Sequence, residues 1–281
     1  MSTHSVFFTV LLLIYSCSVH QCVSTWFVRS GEPVRERTEF PFLALMITDQ
    51  SMCTATLVST KAIITAGHCV CGPKSIRRIS FLTLSDFDKR SINYEPSSIK
   101  VPPEYDPVCQ LKRANQRVTQ TFGGYDVAVV TLSEMVDLGD GVKVVSMASE
   151  SEIPVPNTVV HIVGYGKDVR ASDDTARYGG VLKKGRAVVM ECLHKTVGNP
   201  ICIKPDPISQ QIIGPGDSGG PLLLTPQGPI IGVASGGVFL PAIAKNKLGY
   251  LKYYESSEYQ IELRLTKHLP IPKILYDVHL L

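Results

Sequence analysis

The chain has 281 residues, 44% hydrophobic and 19% charged, with a formal net charge of +3. That length and apolar share support one two-lobed domain or two small ones and exclude a disordered chain. A charge so near balance excludes a nucleic-acid footprint, and basic pairs such as Arg77-Arg78 and Lys183-Lys184 read as solvated loops.

In chain order, Phe7 to Tyr15 is an apolar run too short to span a membrane. Small residues at Cys22 and Ser24 predict a secretory leader over 1–24, cut after Ser24. No second spanning run follows, so the expected product is secreted, monomeric and free of membrane once the leader is gone. The segments that come next are short and rich in Val, Ile, Leu and Thr: Phe42–Ile47, Ala55–Val58, Ala62–Thr65, Val127–Leu132, Val159–Val163, Ala187–Met190, Pro221–Leu224 and Ile230–Ala234. Gly, Pro, Asp and Ser clusters separate them, which predicts an all-β sandwich or barrel rather than βαβ units. Ser85 to Gln120 and Lys167 to Gly185 read as long polar loops. In the tail, Tyr259, Ile261, Leu263 and Leu265 alternate with polar residues, which favours a strand over a helix.

Two strings carry chemistry. Thr65-Ala66-Gly67-His68-Cys69 sets a histidine at the end of an apolar run. Gly216-Asp217-Ser218-Gly219-Gly220-Pro221 sets a serine in a glycine-rich loop whose N–H groups can point outward. A serine hydroxyl is a weak nucleophile that needs a base within reach and a third group to orient that base. Ser218 is the candidate nucleophile, His68 the base and Asp126 the orienting carboxylate. Gly216 suits a backbone conformation that a Cβ would hinder. The serine sits in a Gly-Asp-Ser-Gly-Gly string, and the order is His, Asp, Ser. Neither matches the G-x-S-x-G elbow of esterases and lipases.

Of eight cysteines, Cys17 and Cys22 fall in the leader. The six left, Cys53, Cys69, Cys71, Cys109, Cys192 and Cys202, predict three disulfides in an oxidising compartment, with about 15 pairings open. No C-x-x-C or H-E-x-x-H spacing supports a metal site, and no cofactor is expected.

At these motifs the chain resembles the chymotrypsin-like serine proteases, and within them the cercarial elastases of schistosome blood flukes. Further strings carry the likeness: Val28-Arg29-Ser30-Gly31, Asp126-Val127-Ala128-Val129-Val130, Val163-Gly164-Tyr165-Gly166, Cys69-Val70-Cys71, Ser80-Phe81-Leu82-Thr83-Leu84 and Gly198-Asn199-Pro200-Ile201-Cys202. The resemblance implies two antiparallel β-barrels with the active site between them, filling 28–281, with the tail from about 241 atypical. It implies a bridge Cys53–Cys69. Cys192 and Cys202 look like a separate short bridge in the second barrel, and Cys71 and Cys109 remain to pin the long loop. It implies a pro-segment 25–27, a new amine at Val28 paired with Asp217, and an oxyanion hole at the N–H groups of Gly216 and Ser218. The pocket positions are Ile212, Ser235, Gly236 and Gly237; with Ile212 where trypsin-like enzymes carry aspartate, large apolar residues are the expected preference. The resemblance further implies a secreted endopeptidase acting on skin and extracellular-matrix proteins, elastin among them, with serine-protease inhibitors as partners. Its activity should rise as the imidazole loses its proton, over about pH 6 to 8. The alternative is a catalytically weak or inactive homologue that acts as a binding protein.

Overall fold

Short apolar runs bounded by turn residues pair, in the computed structural model, into two curled seven-stranded antiparallel sheets, one per lobe, beside a two-stranded ribbon in the tail. The structure describes residues 31–72, 75–114, 125–139, 141–166, 180–192, 201–209, 211, 213–214 and 216–235, and the backbone of Ala242–Lys245, Leu251–Tyr254 and Ile261–Leu263. The leader, the pro-segment, Val28, Ile212, Gly236 and Gly237 lie outside the described residues.

The strands of the first lobe are β2 (Leu43–Thr48), β3 (Met52–Ser59), β4 (Ala62–Thr65), β5 (Ile76–Phe81), β6 (Ile92–Tyr94), β7 (Pro96–Lys100) and β8 (Ala128–Leu132). They lie in the order β6-β5-β2-β3-β4-β8-β7. β4 and β8 are buried at every position, which accounts for runs that are apolar but for Thr65 and Thr131. The second lobe is built on β9 (Val159–Gly164), β10 (Lys183–Met190), β11 (Ile201–Pro205), β12 (Pro221–Leu223) and β13 (Ile230–Val233). Its order is β13-β12-β9-β10-β11-β16, with β1 (Glu32–Pro33) added against β10. The tail strand β16 (Ile261–Leu263) pairs antiparallel with β11, in keeping with its period of two, and β14 (Ala242–Lys245) pairs with β15 (Leu251–Tyr254).

One core cluster fills the first lobe and continues into the second through Val163, Tyr165, Leu182, Leu223, Ile230 and Val233. A second cluster around Val160, Ile162, Val189, Ile203, Leu222 and Ile231 fills the other lobe. Each such side chain, once buried, contributes about 1.5–3 kcal/mol.

The stretch from Ser85 to Gln120 is not one long loop. It holds β6, β7 and a helix, Asp106–Arg113, the second of the described α-helices (α2) after a single turn at Gly67–Val70 (α1). Pro107 sits in the first turn of α2, where its missing N–H leaves nothing unsatisfied. The stretch from Lys167 to Gly185 also ends in structure: β10 begins at Lys183, and Val181 bridges to Ser85.

Candidate active site

Sheet register brings the histidine to the aspartate. β4 and β8 run antiparallel with Thr65 opposite Ala128. The chain just past Thr65 and the chain just before Ala128 therefore leave the sheet at one end, side by side. His68 sits on α1, and Cys71 N–H closes that turn onto the Gly67 carbonyl at 2.9 Å. His68 Nδ1 lies 2.7 Å from Asp126 Oδ2, and the His68 backbone N–H donates to Asp126 Oδ1 at 2.7 Å. Two contacts from one residue fix both carboxylate oxygens.

Asp126 is 2% exposed. Burial by itself would raise its carboxyl. The charge of His68, together with hydrogen bonds from the His68 ring, the Ser235 hydroxyl and the His68 N–H, outweighs burial and holds the group below its ordinary value. An ionised Asp126 that accepts from Nδ1–H fixes the ring's orientation and leaves Nε2 as the nitrogen turned away from the carboxylate.

The serine loop is set by the same logic in the second lobe. Pro221 pairs with Val233, and Gly219 N–H donates to the Ala234 carbonyl at 2.7 Å. Ser218, just before β12, and Ser235, just after β13, therefore meet at one end of the sheet. Gly216 has φ +96° and Gly219 φ +83°, values that L side chains rarely adopt. A Cβ at Gly219 would also lie 2.1 Å from Thr65 Oγ1. The N–H groups of Asp217, Gly219 and Gly220 are spent on backbone carbonyls. Among the described residues those of Gly216 and Ser218 donate to no backbone carbonyl.

Thr54 on β3 joins the two parts. Its N–H donates to the Ser218 carbonyl at 2.8 Å and its hydroxyl to the Gly216 carbonyl at 3.1 Å. The hydroxyl also accepts from Tyr165 N–H at 3.0 Å, and the Thr54 carbonyl accepts from Thr65 Oγ1 at 2.8 Å. The Ser218 carbonyl and His68 Nε2 each lie 3.8 Å from Cys69 Sγ, so serine and histidine flank one sulfur. Among the described residues no hydrogen bond joins Ser218 Oγ to His68. Such bonds are commonly loose before substrate arrives.

Asp217 is buried, and its carboxylate accepts from Gly166 N–H at 2.7 Å and Gly214 N–H at 2.9 Å. A Cβ at Gly164 or Gly166 would stand 2.4 Å or 2.7 Å from that carboxylate, so the Gly-Tyr-Gly string is what admits it. The disulfides are Cys53–Cys69, Cys71–Cys109 and Cys192–Cys202. Cys53, His68 and Cys69 crowd together as a metal site would require. Both sulfurs are already bonded to each other, which removes the thiolates that a metal ion takes.

Ser235 was read from the sequence as a pocket-wall residue. Its hydroxyl donates to Asp126 Oδ2 at 2.5 Å. Neither this contact nor the role of Thr54 has a local sequence signal, since each joins residues more than a hundred positions apart. Tyr105, which belongs to none of the sequence motifs, also borders the pair. Its buried ring packs beside Gly67 and Asp126, close enough that a Cβ on Gly67 would be 2.6 Å from Tyr105 Cε1 and 3.1 Å from Asp126 Oδ1.

A family model described as Trypsin matches residues 29–258. A protein named Cercarial protease, from Schistosoma mansoni, is 50% identical over 241 residues, spanning 86% of this chain and 91% of that relative. The structure of neuropsin, a serine protease expressed in the limbic system of mouse brain, superposes with a TM-score of 0.62 at 15% identity over 88% of this chain and 98% of its own. A mutant of human heparin binding protein gives a TM-score of 0.63 at 15% identity over 88% and 96%. At that identity the two structures speak to the fold alone.

Proposed function

Since the chain belongs to the trypsin family and is a serine endopeptidase of the chymotrypsin-like, two-barrel fold, we propose that Ser218, His68 and Asp126 are its catalytic residues and that it cleaves after large apolar side chains. His68 Nε2 takes the Ser218 proton as Oγ attacks the substrate carbonyl, and returns it to the leaving amine. Asp126 holds the ring through Nδ1 and offsets the charge of the imidazolium. The N–H groups of Gly216 and Ser218 receive the oxyanion. Water then releases the acyl group from Ser218 by the same route in reverse.

The carrying observation is the buried Asp126 bound at 2.7 Å to Nδ1 of a half-buried histidine, whose Nε2 lies 3.8 Å from the same Cys69 sulfur as the Ser218 carbonyl. The apolar preference rests on sequence: Ile212, six positions before Ser218, offers no carboxylate to an Arg or Lys substrate. The Ser235 hydroxyl is on Asp126, which leaves its backbone free to form the wall, so Ile212, Ser235, Gly236 and Gly237 are the positions proposed to shape the pocket.

The chain is secreted with a leader over 1–24 and activated by a cut between Phe27 and Val28, in this proposal. The freed Val28 amine then reaches Asp217 and orders the oxyanion loop. Phe27 matches the proposed preference, so the enzyme can cut its own precursor. Half identity with a cercarial protease supports natural substrates among skin and extracellular-matrix proteins, elastin included, during larval invasion. Serine-protease inhibitors are the matching protein partners.

The test has two arms. A fluorophosphonate should label Ser218 in the mature enzyme, and a peptide library should be cut after Phe, Tyr, Leu or Met. An unlabelled serine would sink the catalytic assignment. Cleavage after Arg or Lys would sink the pocket assignment.

A further inference from the structure

Buried polar groups in folded proteins are almost always hydrogen-bonded, so an exception beside a reaction site carries information. The Tyr105 hydroxyl is such an exception. It is buried and makes no hydrogen bond of normal geometry. The nearest carboxylate has room for it. A carboxylate oxygen accepts two hydrogen bonds. Asp126 Oδ2 has both, from His68 Nδ1 and Ser235 Oγ. Among the described residues Oδ1 has one, from His68 N–H, and Oδ1 is the oxygen on the Tyr105 side of Gly67. A buried donor without an acceptor thus stands beside a buried acceptor position without a donor.

We propose that Tyr105 is a positioning residue, whose O–H serves the remaining acceptor position of Asp126 Oδ1 and so holds the His68–Asp126 pair. The inference rests on the catalytic reading of that pair. Burial first, and then the Asp126 carboxylate, push the phenol far above its ordinary value, so it stays a donor throughout the working range.

The surroundings are built to hold the ring. Tyr105 immediately precedes α2, and Cys109, four residues on, shares its face of the helix. Cys109 is bonded to Cys71, the residue that ends the His68 turn. Tyr105, Cys71 and Cys109 form a separate apolar cluster with Val101, Val108 and Tyr125 packed against it. Tyr125 directly precedes Asp126. The cross-link therefore ties the phenol to the His68 end of the pair, and the packing of Tyr125 ties it to the Asp126 end. Among the described residues the titratable groups in this cluster and the pair beside it are His68, Asp126, Tyr105 and Tyr125. Lys100, Asp106 and Arg113 line a cavity on the outer side of Cys71.

The experiment compares wild type with Tyr105→Phe. The pH profile of kcat/KM is measured on an apolar peptide substrate, and the low-field proton of His68 Nδ1 is followed by NMR. Rates are normalised to sites titrated with fluorophosphonate, so any loss of folded enzyme drops out. Without the fourth donor, Asp126 presents more charge to the imidazolium. The acid limb should move to higher pH by about half a unit. Values of kcat should fall about threefold to tenfold with KM nearly unchanged, and the Nδ1 resonance should shift. Tyr105→Leu removes ring and hydroxyl together. A Phe variant whose profile and resonance superimpose on wild type, while the Leu variant departs, would reduce Tyr105 to a cover and overturn the proposal. A wild-type enzyme that takes no label would instead defeat the catalytic reading on which it rests.

Discussion

Asp126 keeps its charge although it is buried, and it does so by local donors. Removing one of them should be felt directly. Ser235→Ala deletes the hydroxyl 2.5 Å from Oδ2 and leaves that carboxylate short of a partner. Loss of a hydrogen bond to a buried charge costs about 1.5–3 kcal/mol. The expected outcome is a lower unfolding midpoint in urea and a carboxyl that protonates at higher pH, with fluorophosphonate labelling of Ser218 slowed but not abolished. Equal midpoints and equal labelling rates would contradict the role given to Ser235. His68, Asp126 and Ser218 were legible in the sequence because each lies in a short string whose neighbours serve the same turn. Thr54, Tyr105 and the bond from Ser235 to Asp126 were not. Their partners are fixed by strand register and by lobe packing, which no window of sequence displays.

Elements repeat the lesson on a larger scale. Strands β4, β8, β12 and β13 follow from apolar runs between turn residues. Helix α2 was hidden because Pro102, Pro103 and Pro107 and a polar composition read as loop, although Pro107 falls where a helix tolerates it. What fixes α2 against the His68 turn is the Cys71–Cys109 bridge, which spans 38 positions. Closing a loop of that size removes about 4 kcal/mol of freedom from the unfolded chain in the entropic account. The paired substitution Cys71→Ala with Cys109→Ala should lower the thermal midpoint by several degrees. Reductant should then have a smaller effect on the variant than on wild type. A variant as stable as wild type would show that the bridge adds nothing to the packing of α2.

Across the whole molecule, charge pairing sets the response to acid. Asp126, Asp88 and Asp206 are all held below their ordinary values. For Asp88 burial works upward, and hydrogen bonds from Arg37 and from the N–H groups of Leu84 and Arg90, with the Arg37 charge, overcome it. For Asp206 the Ser209 N–H is the leading cause, joined by Ile208 N–H, the Ser209 hydroxyl and Arg186, against burial. A carboxyl lowered on folding adds stability that is complete above its unfolded value, about pH 4, and is lost as pH falls through the folded value. Urea midpoints should therefore be flat with respect to these groups above about pH 5 and decline in stronger acid. Asp88→Asn and Asp206→Asn should each shrink that decline. An unchanged acid slope in both would place the sensitivity elsewhere.

Thr54 gives the two lobes a shared reference. The strand that carries it belongs to the histidine's sheet, yet its amide and hydroxyl grip the backbone on either side of Asp217. Any swing of one lobe against the other must pivot about this grip rather than across it. A groove that widens to swallow a folded protein can then do so at its rim, while alcohol and imidazole travel together.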